Sequence, residues 1–287
     1  MSISKITFSV FFLFSFVFSN AQDDLLKELD NDSIPKKEIE SAAFKGLQVC
    51  TMQSTKLASK GEWYFMVAHR FGDLTEGFDN FFGLDNALTK IGGLYGVTEW
   101  LTLGFSRQTY NRIYELTVKY KFADQEINGF PVTIVGYNTM DINSNLSKEE
   151  FPYLKTSNRF AFSTQLPVSR KFSNAFSLEV NPIYIRKNVY EPMFEKADNF
   201  LLALGGRHKL SKRISLNAEY AFRLNARETS FYHNPVTVGM DVETGGHVFQ
   251  LVFSNSQPMN DVSYFTSATG ITKGKGIYFG FNLYRVF

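Results

Sequence analysis

Tyr114-Glu115-Leu116-Thr117-Val118-Lys119-Tyr120-Lys121-Phe122 puts every apolar or aromatic side chain at an even position and every polar or charged one at an odd position. Successive side chains on a strand point to opposite faces, so this stretch carries one greasy face and one wet face. The same alternation runs through Leu101–Ser106, Arg159–Leu166 and Ile214–Arg223. Such segments run to about 10 residues, the length a tilted strand needs to cross a bilayer. Strands of a soluble sandwich average nearer ~5–6 residues and have no reason to set so many aromatics opposite a polar face.

Extending the pattern in both directions predicts strands near 61–71, 89–97, 100–110, 112–122, 130–140, 158–167, 175–186, 199–210, 213–223, 235–242, 246–254 and 276–287. Twelve is an even number, as single-chain bacterial barrels require. A thirteenth candidate, Leu47–Met52, is removed by that parity. The fold class predicted is an all-β, antiparallel, up-and-down transmembrane barrel of about twelve strands. With both termini in the periplasm, the connections on that side are short: Thr98-Glu99, Ala123–Gly129, Pro167–Asn174, Ser211-Lys212 and Glu243–Gly245. Those on the outer side, at 72–88, 141–157, 187–198, 224–234 and 255–275, are longer, with Asn111 the exception. Short inner turns and long outer loops are the asymmetry such barrels show.

Composition agrees with this reading. Thirty Phe, 14 Tyr and 2 Trp in 287 residues, with 20% charged, exclude a disordered chain. A formal charge of +2 gives no reason to expect nucleic acid as a partner, and a single cysteine, Cys50, excludes an internal disulfide and a Cys-based zinc cluster. The many rings belong on a face whose solvent is lipid. The slightly negative mean hydropathy, −0.16, is the average of that face and a wet interior.

Residues 1–21 are predicted to be a signal peptide. Lys5 supplies the positive start, Ile6–Phe18 the short apolar run, and Ser19-Asn20-Ala21 the cleavage site. No later apolar run reaches the roughly 18 residues of a spanning helix. Residues 22–60 form a periplasmic tail rich in acid over 22–41. Pro35 limits any helix there, and Phe44–Met52 is a candidate plug or accessory strand. The barrel itself occupies 61–287.

At the other end of the chain, Ile277, Phe279, Phe281, Leu283 and the terminal Phe287 alternate around Gly280. The pattern resembles the signal by which barrel-assembly machinery recognises a final strand. Gly280, Phe281, Leu283 and Phe287 are its candidate residues, although Arg285 stands where an aromatic is usual. Trp63 and Trp100 fall at strand ends on the periplasmic side and are candidate girdle residues. Outer-membrane lipid and the assembly machinery are thus the expected partners.

Ser59-Lys60-Gly61 through His69-Arg70-Phe71-Gly72, Phe82-Gly83-Leu84-Asp85, Tyr95-Gly96-Val97-Thr98, Gly245-Gly246-His247-Val248-Phe249-Gln250-Leu251, Gly280-Phe281-Asn282 and Arg285-Val286-Phe287 together resemble an uncharacterised outer-membrane β-barrel family of Gram-negative bacteria. The resemblance covers roughly residues 43 to 287. It implies an outer-membrane barrel and carries over no functional residue.

No catalytic constellation emerges. His69, His208, His233 and His247 are scattered, and none has a ligand partner at i±2 or i+4, so no metal and no cofactor is expected. Gly270–Gly276 lacks the spacing and the Ser or Thr of a phosphate loop, and Asp73, Asp79 and Asp85 lack the alternate-residue spacing of a calcium loop. An enzyme is not expected, and for a barrel-embedded lipid hydrolase His247 would be the best candidate.

The informative residues are the charges on the wet face: Glu115, Lys119, Lys121, Arg159, Glu179, Arg207, Glu219 and Arg223. Facing lipid, an Arg or Lys would cost about 2–4 kcal/mol at the midplane, so they are assigned to the lumen. Two readings follow. Paired across strands they form a ladder that plugs the barrel, which is the preferred one. Unpaired, they line a weakly anion-favouring path. The function expected is a narrow channel or transporter for a small polar or amphiphilic solute. The alternative is a non-conducting barrel that presents its loops, with Phe78, Phe81 and Phe82 as an apolar patch.

Overall fold

The computed structural model describes residues 37–149, 151–244, 247–270 and 274–287. The signal-peptide reading and most of the acidic tail lie outside those residues. Strands run β1 (Trp63–Asp73), β2 (Leu88–Thr98), β3 (Leu101–Gln108), β4 (Ile113–Ala123), β5 (Thr133–Asn143), β6 (Phe160–Gln165) and β7 (Val168–Lys171). They continue as β8 (Phe176–Lys187), β9 (Asp198–Lys209), β10 (Ile214–Arg223), β11 (Val236–Thr244), β12 (His247–Ser254) and β13 (Tyr278–Val286).

Every neighbouring pair is antiparallel, and β13 returns to β1 with Tyr64 opposite Val286 and Arg70 opposite Gly280. The sheet therefore closes on itself and leaves no edge. β6 and β7 share one position in the wall, since both pair with β5 on one side and β8 on the other. The wall thus has twelve strand positions. Pro167, which has no N–H to give the ladder, separates the two halves, and its carbonyl accepts from Val135 N at 3.0 Å. Pro167–Asn174 is consequently not all turn, as the sequence reading had it. The pairing resumes at Val168, and only 172–175 connects to β8.

Alternation decides which side each residue takes. In β8 the odd positions from Ser177 to Ile185 are buried, while Phe176, Leu178, Val180 and Tyr184 are exposed. In β4, Leu116 and Phe122 are exposed while Glu115 and Lys119 are buried. The outward belt of Leu, Val and Phe is the surface a bilayer would cover. The exposed rings of Trp63 and Trp100 lie at the end that carries the C-terminus. The long loops gather at the opposite end. There Phe78, Phe81 and Phe82 are exposed, and Asp73 Oδ2 accepts from Gly276 N at 2.8 Å, tying two loops together.

Along β13, Phe281 and Leu283 face out and Gly280 faces in. A Cβ on Gly280 would stand 2.1 Å from the His69 carbonyl oxygen and 2.6 Å from Arg70 Cδ, so only glycine fits that seam. The terminal Phe287 ring is exposed, with the Arg285 guanidinium 4.6 Å from its centroid.

Candidate functional site

The interior of the barrel is not an open wet lumen. Two segments of the chain's own backbone fill it. The first runs from Ala43 to Ala58, and the second is the β12–β13 loop, whose residues 258–266 include a short helix, α1 (Asp261–Thr266). Phe44, Leu47, Val49, Cys50, Met52 and Ala58 are buried, as is every residue of α1.

The first segment bends back on itself, with Gln48 opposite Gln53 and Val49 N donating to Met52 O at 2.8 Å. It is not a wall strand, so its backbone groups must find partners elsewhere or stay buried at a cost. The wall supplies them. Glu219 on β10 accepts from three consecutive amides, Cys50 and Thr51 at 2.9 Å and Met52 at 3.0 Å. Lys119 on β4 donates to the carbonyls of Leu47 at 2.9 Å, Ser54 at 3.1 Å and Lys56 at 3.3 Å. Glu179 accepts from Thr55 N at 3.1 Å, and Thr102 from Ala58 N at 3.1 Å. Asn282 donates to Cys50 O at 2.7 Å and Gln250 to Val49 O at 2.6 Å. Arg70, fully buried, reaches Asn282 Oδ1 at 2.9 Å and Thr51 Oγ1 at 3.3 Å, and Tyr284 OH donates to Gln48. These partners come from all round the barrel, so the segment lies inside it.

The second segment is held through side chains. Asn260 donates to Asp141 at 2.5 Å and accepts from Gln108. Asp261 accepts from Gln165 at 2.7 Å, and Lys90 donates to Met259 O at 3.1 Å while pairing with Glu115 at 2.5 Å. Tyr264 OH donates to Glu219 Oε1 at 2.8 Å, so one carboxylate holds both segments. Phe44, Val49 and Met52 from the first segment, with Val262, Tyr264 and Phe265 from the second, form an apolar cluster against Ile183, Ile185, Leu201, Ala203 and Ala221 of the wall.

The eight charges read from sequence therefore meet different fates. Glu115, Lys119, Glu179, Arg207 and Glu219 are buried inward residues. Lys121 pairs with Asp124 at 3.0 Å near the end bearing the C-terminus. Arg159 sits in the turn before β6 rather than on a strand and donates to Asn143 O at 3.1 Å. Arg223, at the loop end, donates to Tyr232 O at 2.6 Å. The preferred ladder of cross-strand ion pairs does not form. Among these charges and the described residues, only Glu115 with Lys90 and Arg207 with Glu243, at 3.1 Å, pair across the wall. Most of the rest bond chain that lies inside, or at the rim.

Alternation could not find Arg70 or Lys90. The inward neighbours of Arg70 are Tyr64, Met66 and Ala68, and β1 is apolar on both faces. β2 is broken up by Gly92, Gly93 and Gly96, which give no contrast between faces.

Above and below the filled zone lie two vestibules. The one at the loop end is about 350 Å³ and is lined by Tyr110, Arg159, Lys187, Glu195, Tyr232 and Ser263 among others. The one at the opposite end is about 390 Å³, lined by Lys45, Lys56, Lys212, Arg213, Glu243 and His247, with Tyr64, Tyr284 and Val286. A closed, lipid-belted wall around polar inner faces and two mouths defines a membrane β-barrel, here one whose interior is occupied by its own chain.

The chain belongs to the family described as membrane bound beta barrel domain (DUF5777), which matches residues 44–287. That match begins at Phe44, so it takes in the first inserted segment as well as the wall. Among solved structures, the KdgM porin is similar at 7% identity with a TM-score of 0.50, covering 78% of this chain and 99% of that one. The NanC porin in a rhombohedral crystal form is similar at 8% identity with a TM-score of 0.49, covering 78% and 98%. At such identities the likeness to KdgM speaks for the fold alone. No curated protein sequence matches the chain.

Proposed function

We propose that this protein is an outer-membrane channel or transporter for a small polar solute, exported by its leader and held closed by the two inserted segments. The observation that carries the reading is the pattern of bonding inside the wall. Charged and amide side chains are presented inward on most strands, and they bond the inserted backbone and α1 rather than pairing chiefly with each other. Polar side chains such as Ser106, Thr139, Asn217 and Gln250 face inward beside these charges, the lining a wall needs if it meets water when the inserts leave. The fold shared with a porin, and mouths at both ends, agree with this reading.

A lock on the first segment tests it. A Cβ built at Gly239 on β11 stands 2.8 Å from Cys50 Sγ, and a disulfide places those two atoms about 3.0 Å apart. Cys50 is the chain's only cysteine, so Gly239→Cys creates one defined cross-link between insert and wall. In planar bilayers, wild type and reduced Gly239→Cys should show brief openings, and oxidation should abolish them. Absence of any current from correctly folded protein under all conditions would leave the non-conducting reading standing. Its own support is the apolar cluster inside the barrel.

A further inference from the structure

The vestibule at the end bearing the C-terminus has a chemistry that the bonding of the inserts uses only in part. Lys45 and Lys56 come from the first inserted segment, Lys212 and Arg213 from the β9–β10 turn, and Arg207 stands behind them on the wall. Three carboxylates stand near these five basic side chains. Glu243 is engaged by Lys45 at 3.4 Å and by Arg207 at 3.1 Å. Glu62 is at the rim, where it accepts from Ser59 N at 2.9 Å and Tyr64 OH at 3.3 Å. Asp241 lies deeper and accepts from Gln250 at 2.7 Å. Among the described residues, Lys56 Nζ meets only the Lys45 carbonyl, at 2.8 Å, and the exposed Lys212 and Arg213 side chains form no ion pair.

Tyr64, Val248, Tyr284 and Val286 complete the pocket from inward-facing positions of β1, β12 and β13. It therefore opens into the barrel rather than onto the lipid belt. A concave, partly apolar pocket with an excess of lysine and arginine concentrates anions and offers them charge-assisted hydrogen bonds.

We propose that this vestibule binds a small soluble anion bearing a phosphate or carboxylate group. The two lysines on the inserted segment make the bound anion a contact between that segment and the β9–β10 turn, so occupancy would bear on whether the segment stays seated. The proposal names the solute class of the channel reading and rests on it for its role. Binding itself is measured apart from conduction.

The test is calorimetric titration of inorganic phosphate, and separately of succinate, into the full-length detergent-solubilised protein at low ionic strength. The comparison is with Lys212→Ala/Arg213→Ala, and a heat-modifiable gel shift confirms that both proteins are folded. These two side chains lie in an exposed turn and bond neither insert. Binding should be saturable, weakened by salt, and about tenfold weaker in the double variant, as for the loss of one charge-assisted contact. No binding to folded wild type, or equal binding by the variant, would overturn the proposal. So would dependence on these two residues that appears only in nanodiscs containing phosphatidylglycerol, which would assign the pocket to a lipid headgroup. Phosphate binding without any current would keep the site and remove the channel reading.

Discussion

The two segments inside the barrel solve the same problem by opposite means. The 258–266 segment forms a helical turn, so α1 satisfies part of its own backbone: Tyr264 N donates to Asn260 O at 2.9 Å and Ser267 N to Ser263 O at 2.8 Å. It then meets the wall through Asn260, Asp261 and Tyr264. The 43–58 segment makes only a narrow turn of its own, with Val49 N on Met52 O at 2.8 Å and Ser54 N on Leu47 O at 3.1 Å, and borrows further backbone partners from Glu219, Lys119, Glu179, Asn282 and Gln250. One insert is a helical turn that docks through side chains, and the other leans on the wall for much of its main chain. Its seating should therefore depend steeply on a few wall residues.

Glu219→Ala should have the largest effect, because its carboxylate serves three amides of one segment and the Tyr264 hydroxyl of the other. Leaving those buried donors unpaired should weaken the inserts' seating by on the order of 3–5 kcal/mol. Hydrogen exchange would show it as lost protection at both Cys50–Met52 and α1. Unchanged protection at α1 would mean that the two segments are seated independently. Next comes Lys119→Met, which keeps the volume but removes the donor to three carbonyls of the first segment. We expect a loss of about 1–3 kcal/mol, read as faster exchange and easier proteolysis between 43 and 58 with α1 unchanged.

Asn260→Ala gives the mirror case. Its bonds to Asp141 and Gln108 concern the loop alone, so protection should fall at α1 by a similar or smaller amount while Cys50–Met52 stay protected. If Lys119→Met and Asn260→Ala each released both segments, the contrast drawn above would be wrong. The smallest effect belongs to the contact at the outer end of the first segment, where Lys171 Nζ pairs with Glu40 at 2.9 Å. The Lys171 hydrogen bond, with that of the Ser41 amide, holds the Glu40 carboxyl below its ordinary range. Because the folded-state value is depressed, the contact stabilises above the unfolded value and is lost as pH falls through the folded one. Acid below the ordinary carboxylate range should loosen residues near Glu40, a change that peptide-level exchange can resolve.

The wall was legible because lipid and interior impose opposite demands on alternate residues. Tyr114–Phe122 could be sided from the sequence, and the strand boundaries came out within a few residues. Pro167 was harder to place, since a proline inside a barrel strand reads locally as the start of a turn. The interior was less legible for a physical reason. An inward polar residue looks the same whether it faces water, an opposite charge or a backbone amide. Glu219 and Lys119 read as inward charges, yet nothing around them in sequence names Cys50 or Leu47 as partners. Apolar inward residues such as Ile185 and Leu201 carried a warning, for a wet lumen has no use for them. They mark where Phe44, Met52 and Phe265 pack. Nor could the 255–275 loop be known to enter the barrel, because Pro258–Asp261 has the composition of an exposed turn.

The seam between β1 and β13 is also where the first segment is keyed. Arg70 on β1 touches Asn282 on β13 and Thr51 on the insert, while Tyr284 on β13 holds Gln48. The joint that shuts the cylinder is thus also the joint that the inserted chain bridges, so a strain that parted β1 from β13 would pull at the insert's anchor as well. With residues 43–58 withdrawn, Arg70 would lose its Thr51 contact and keep Asn282 and the His69 and Phe281 carbonyls, all on the two joined strands. The segment that fills the interior therefore also staples the one place where the first and last strands meet.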